Sequence, residues 1–123
     1  MGAGEVVAAL IKANEARDVD AILALLTDDI AYENVGMGVC NGPDEVRALL
    51  GPFLDGTERV AWEVLAQLEQ GDVVMNERVD RFFLPGGKQA EARVAGYFEV
   101  RDGKVSRWRD YFDTAALMAQ LTG

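Results

Sequence analysis

The stretch VVMNERVDRFFLPGGKQAEARVAGYFEVRDGKVSRWRDYF, residues 73–112, decides the fold. Three runs rich in Val, Phe, Tyr and Trp are separated by two compact turn sequences, Pro85-Gly86-Gly87 and Arg101-Asp102-Gly103. Such punctuation between alternating runs is that of antiparallel hairpins. It predicts strands over 73–84, 89–100 and 104–112. Just upstream, Gln70-Gly71-Asp72 makes a further turn and adds a strand over 59–68, giving four consecutive antiparallel strands.

Outward from this meander the pattern turns helical. Val6, Val7, Leu10 and Ile11 recur at helical spacing between Glu5, Lys12 and Glu15, which predicts an amphipathic helix over 5–17. Asp18 suits the N-cap of a second, shorter helix through Ile22 to Leu26. A short strand is expected over 30–34, and the glycine-containing stretch 35–42 reads as a loop. Pro43 opens a third helix, with Asp44 and Glu45 at its positive end, and Gly51-Pro52 is expected to kink or end it. Asp113 caps a last helix through Leu121. Helices followed by a curved meander give an α+β fold: a mixed, mainly antiparallel sheet with helices across one face and a cone-shaped pocket between the layers. The chain, residues 1–123, reads as a single domain, with no repeat and no interdomain linker.

Charge and composition exclude several functions. Twenty-one acidic against 12 basic residues give a net charge of −9. A phosphate backbone or an anionic membrane would be repelled, so neither nucleic acid nor membrane is an expected partner. A single cysteine, Cys40, cannot form an internal disulfide, and no segment has the pattern of a signal peptide, so cytoplasmic residence is expected. The chain has no histidine. That removes Ser-His-Asp and Cys-His catalysis and most zinc chemistry, and no metal or cofactor is expected. Acid-base work then falls to carboxylates, lysine or tyrosine, and carboxylates do it near neutrality only where their surroundings shift their pKa values.

Strand parity places such carboxylates inside. Asn76, Arg78, Asp80 and Phe82 share one face of their strand; Ser106, Trp108, Asp110 and Phe112 share one face of theirs. Ala92, Val94, Gly96 and Phe98 supply the wall between them, and Tyr32 and Asn34 point together from the short N-terminal strand. A surface ion pair between Arg78 and Asp80 would contribute little. Among Phe82, Val94, Trp108 and Phe112, however, a charged group needs a partner. The chemistry such a cluster permits is opening of an epoxide by water, which needs an acid for the departing oxygen and a base for the attacking water. Asp80 is assigned as general acid, Asp110 as general base and Arg78 as the bridge between them, with Tyr32 and Asn34 holding the water. Phe82, Val94, Trp108, Phe112 and Leu117 are expected to line the substrate pocket, with Phe53 a further candidate.

Tyr32-Glu33-Asn34, Glu77-Arg78-Val79-Asp80, and Trp108-Arg109-Asp110-Tyr111-Phe112-Asp113 after the Asp102-Gly103-Lys104 turn together resemble the limonene-1,2-epoxide hydrolase family. These are small members of the cystatin-like, nuclear-transport-factor-2-like (NTF2-like) superfamily. The likeness covers nearly the whole chain. It implies one-step hydrolysis of a small apolar epoxide, with the same five residues in these roles, and a homodimer. Two rival readings stand beside it: an isomerase resembling ketosteroid isomerase, which needs no arginine bridge, and a non-catalytic carrier of hydrophobic ligands on the same fold.

Overall fold

The computed structural model describes residues 2–122. Its elements are α1 (Ala3–Glu15), α2 (Val19–Ala24), β1 (Leu26–Asn34), β2 (Gly38–Asn41), α3 (Pro43–Asp55), β3 (Arg59–Gln70), β4 (Val73–Phe83), β5 (Gln89–Arg101), β6 (Lys104–Tyr111) and α4 (Thr114–Thr122). The six strands form one sheet in the order β2-β1-β6-β5-β4-β3. Strands β3 to β6 are the antiparallel meander read from the turns. In the last turn Asp102 and Gly103 both have positive φ, 53° and 77°, as a tight two-residue hairpin between Arg101 and Lys104 requires.

The N-terminal strand β1 pairs with β2 in antiparallel fashion but with β6 in parallel, so the sheet is mixed. That parallel pairing sets Tyr32 beside Trp108 and Asn34 beside Asp110. The helices cover one face. Val6, Val7 and Leu10 of α1 are fully buried, as are Ile22, Val46, Val74, Phe98, Val105 and Trp108, and they belong to a common apolar core.

Two local expectations are corrected and a third is narrowed. Residues 38–41, read as loop, are strand β2: a four-residue edge strand has too few positions to display an alternation, and only its backbone pairing with β1 defines it. The second helix ends at Ala24 rather than Leu26, because Leu26 already belongs to the sheet, where β1 extends four residues further back than expected. Gly51-Pro52 does not end α3, which runs on to Asp55. A proline forfeits one bond to the carbonyl four residues back; that carbonyl belongs to exposed Ala48, where solvent can take the donor's place. On β3 the inward alternation of Val60 and Trp62 breaks at an irregularity between Val64 and Ala66, beyond which the strand is exposed on both faces.

Candidate functional site

Site geometry starts from the register. Asn34, Asp110, Gly96 and Asn76 lie in one cross-strand row over β1, β6, β5 and β4; Trp62, Asp80 and Ala92 lie in another. Arg78 stands between the rows on β4 and spans them. Its Nε and Nη2 donate to Asp80 Oδ1 and Oδ2, both at 3.0 Å, and Nη2 also donates to Asp110 Oδ1 at 3.1 Å. Nη1 donates to Asn76 Oδ1 at 2.9 Å. The guanidinium carbon lies 4.3 Å from the centre of the Trp62 ring and 5.9 Å from that of Phe98. Two carboxylates, one guanidinium and two aromatic faces thus form a unit closed to solvent, Arg78 being fully buried and Asp80 and Asp110 nearly so.

The electrostatics follow from the count of charges. If both carboxylates ionise against a single guanidinium, one buried negative charge is left uncompensated, and one bound proton removes it. Burial pushes the Asp80 carboxyl up to about 6, although the forked contact with Arg78 pulls the other way. Burial likewise raises Asp110, against the attraction of Arg78 and the hydrogen bond from Trp108. Both carboxyl groups are therefore displaced upward from the ordinary carboxylate range and share the one compensating charge of Arg78. Burial, reinforced by the charge of Asp110, keeps the Tyr32 phenol protonated. Its hydroxyl donates to Asn34 Oδ1 at 3.3 Å, which leaves the Asn34 amide hydrogens free for another partner.

This cluster opens into a cavity of about 300 Å³. Tyr32, Asn34, Asp80 and Asp110 line it, and so do Phe82, Val94, Phe112, Leu117 and Phe53. Arg78 and Trp108 do not. Trp108, expected in the wall, is wholly buried behind it: its ring stacks on Tyr32 at 3.9 Å between centroids, and its Nε1 donates to Asp110 Oδ2 at 3.2 Å. Alternation gave the correct face, but β5 and β1 close over the indole on either side.

Several lining residues escaped the sequence reading. Trp62 is one; its partnership with Asp80 in the sheet was there to be found, but the broken alternation of β3 hid it. The others come from helices and the β1–β2 turn, among them Asn14, Leu50 and Met37. Their inward direction depends on how each helix is rotated against the sheet, which the spacing of apolar residues fixes only coarsely. Among the described residues, no three His, Cys, Asp or Glu side chains converge in a way that could hold a metal ion. None of their helices is long and apolar enough to cross a membrane.

Comparison with known proteins identifies the family of the chain. Residues 2–122 match the family model of the limonene-1,2-epoxide hydrolase catalytic domain. The chain is 38% identical over 109 residues to the epoxide hydrolase EphG of Mycobacterium tuberculosis, covering 87% of this chain and 70% of that protein. It superposes on the structure of an M. tuberculosis LEH-like epoxide hydrolase with a TM-score of 0.82 and 32% identity, over 98% of this chain and 89% of the other. An NTF2-like protein from Burkholderia pseudomallei shares the fold, with a TM-score of 0.85 at 22% identity over 98% of both chains. The match along nearly its whole length and the identity to EphG place the chain in the limonene-1,2-epoxide hydrolase family, as an enzyme of the epoxide hydrolase type.

Proposed function

We propose that residues 1–123 form one catalytic unit that adds water to a small, largely apolar epoxide in a single step, giving a vicinal diol without metal or cofactor. The observation that carries this reading is the bridge from Arg78 to both Asp80 and Asp110 at the wall of an apolar cavity. Asp110 is the general base, because its neighbour across the sheet is Asn34, whose free amide hydrogens, with the Tyr32 oxygen, can hold a water against it. Asp80, flanked by Trp62 and Ala92, faces the apolar part of the cavity and is the general acid that protonates the departing ring oxygen. Arg78 holds both carboxyl groups in place and compensates the one that is ionised. The ketosteroid-isomerase-like and carrier readings leave this bridge without a role.

Purified protein incubated with a panel of cyclic and linear epoxides in the presence of a chelator is expected to form diol at an undiminished rate. Absence of diol across the panel would leave the reading without support. The same assay has a predicted pH profile. An acid that must be protonated is lost as pH rises through its pKa, and a base that must be ionised is lost as pH falls through its own. With Asp80 at about 6, the rate is therefore expected to decline from about pH 6 upward, with a second fall on the acid side. A rate that climbs steadily to pH 9 would rule out Asp80 as the acid.

The working form is proposed to be a homodimer joined through the outer face of the sheet, in the reducing cytoplasm, where the free thiol of Cys40 would persist. On that face Leu68, 79% exposed, lies beside Met75, and Ala66, Glu77, Ala95 and Tyr111 continue the neighbouring row. A patch of this kind on the outer side of a sheet is costly to leave in water. A solution mass near twice 13.4 kDa, reduced to the monomer value by Leu68→Arg, is the expected result. A monomeric wild-type protein would refute it.

A further inference from the structure

Two side chains in the cavity wall carry polar atoms with no part in the reaction described above: Trp62, whose Nε1 is enclosed without a hydrogen-bond partner, and Asn14. Asn14, in the last turn of α1, is 1% exposed and lines the cavity. Its Nδ2 donates to the Leu10 carbonyl one turn back at 2.9 Å, which fixes the orientation of the amide because a carbonyl can only accept. The Oδ1 atom then has no donor among the described residues. Unlike Trp62 Nε1, which is enclosed without a partner, this oxygen keeps some contact with the cavity space, so a bound molecule that excludes water must supply a donor or leave it unpaired, a cost that a leucine in the same wall would not incur.

The position of Asn14 in the cavity follows from its neighbour. Glu15 Oε2 accepts the backbone N–H of Trp62 at 3.0 Å, and Trp62 is the sheet partner of Asp80. The end of α1 is thus tied to β3 beside Asp80, and Asn14, one residue earlier, lines the same cavity as Asp80 and Trp62. An epoxide oxygen carries lone pairs only, so it cannot satisfy the Asn14 oxygen. A substituent that donates can.

We propose that Asn14 is a specificity-determining residue that accepts a hydrogen bond from a hydroxyl or amide N–H carried near the epoxide ring, so that the preferred substrates are epoxides with one such donor on an otherwise apolar frame. This deepens the epoxide hydrolase reading and rests on it. A hydrocarbon epoxide entering the same cavity must strand the Asn14 oxygen or leave a water trapped beside it. A site built to pair a substrate hydroxyl discriminates strongly against the analogue without it, for this reason.

The test compares cyclohexene oxide with the same epoxide bearing a hydroxyl on the carbon next to the ring fusion, in the wild type and in Asn14→Leu. Leucine is close in size and a better helix former, so the variant is expected to fold, which circular dichroism checks. The wild type is expected to favour the hydroxylated epoxide in kcat/KM by about tenfold or more, and Asn14→Leu to reduce that ratio by about the same factor. An equal ratio in the two proteins overturns the proposal. A second readout needs no turnover: the change in tryptophan emission intensity and wavelength on titration with cyclohexanol and with methylcyclohexane, since Trp62 lines the cavity and its surroundings change when the cavity fills. The advantage of cyclohexanol over the hydrocarbon is expected to shrink in Asn14→Leu. If no epoxide is opened but this binding difference persists, the hydrolase reading fails and the polar anchor stands. If epoxides are opened while both ratios ignore the substitution, the anchor fails and the hydrolase reading stands.

Discussion

Asp80→Asn and Asp110→Asn are each expected to lower kcat for diol formation by at least a thousandfold while leaving the protein folded. An amide at position 80 has no proton acidic enough to transfer to the departing oxygen, and one at position 110 cannot take a proton from water, so each change removes a proton-transfer role of the order of 10²–10⁴ in rate, and the other carboxyl cannot act alone. Stability should move the other way. Asp80 titrates near 6 in the folded chain against about 3.8 unfolded. Between these values the folded state holds a proton that the unfolded state has released, so stability falls as pH rises through that window, and above it the full cost of the buried charge is felt. Removing one of two carboxylates balances the single guanidinium. Asp80→Asn should therefore melt no lower than wild type at pH 7, as calorimetry can show. Turnover above a tenth of wild type in either variant would defeat the assignment of roles.

Gly96→Ala is expected to be the most damaging single methyl group that can be added to this protein. Gly96 has an ordinary extended backbone, so a turn does not explain it; space does. A Cβ there would fall on Arg78 Nη1, 2.8 Å from Asn76 Oδ1 and 3.0 Å from Phe98 Cε1. The side chain of Arg78 starts on β4 and must pass over β5 to reach Asp110 on β6, and it passes at Gly96, the sheet partner of both Asn76 and Asp110. Arg78 is fully buried between Trp62 and Phe98 and cannot step aside. The methyl must break the contact with Asp110 or push the strands apart. We expect a loss of about a hundredfold or more in kcat, together with destabilisation on the order of 3 kcal/mol from overpacking and a disrupted buried ion cluster. Wild-type kcat in a folded Gly96→Ala protein would mean that the bridge is dispensable.

How much of this was legible in the chain depends on which physical rule governs each residue. Arg78, Asp80, Asp110, Tyr32 and Asn34 could be placed because strands have a strict period of two, and the aromatic and aliphatic residues that share a parity with Arg78, Asp80 and Asp110 mark the inner face. The period is no guide at Trp62, since one extra residue in β3 resets the phase, or at β2, which is too short to show one. It overreached at Trp108, since facing inward differs from lining a cavity when neighbouring strands cover the ring. The parallel contact of β1 with β6 carries no local mark at all; nothing in residues 26–34 names a partner more than seventy positions away. Asn14 was hidden for another reason. It follows Val7, Leu10 and Ile11 at helical spacing, but as a polar residue next to Glu15 at the end of that stripe it reads as the start of the solvated helix end until the helix is docked.

The parallel seam between β1 and β6 also governs when the catalyst comes into being. A hairpin can close as soon as its two strands have been synthesised, but β1 must wait for β6, the last strand of the chain, before Asn34 can meet Asp110. Contacts so distant in sequence carry a large loop-closure cost and form late. Until then Tyr32 and Asn34 are not beside Trp108 and Asp110, and the proposed water site is incomplete. A chain cut anywhere before residue 104 lacks β6 and with it Asp110, so the proposed site cannot assemble in it.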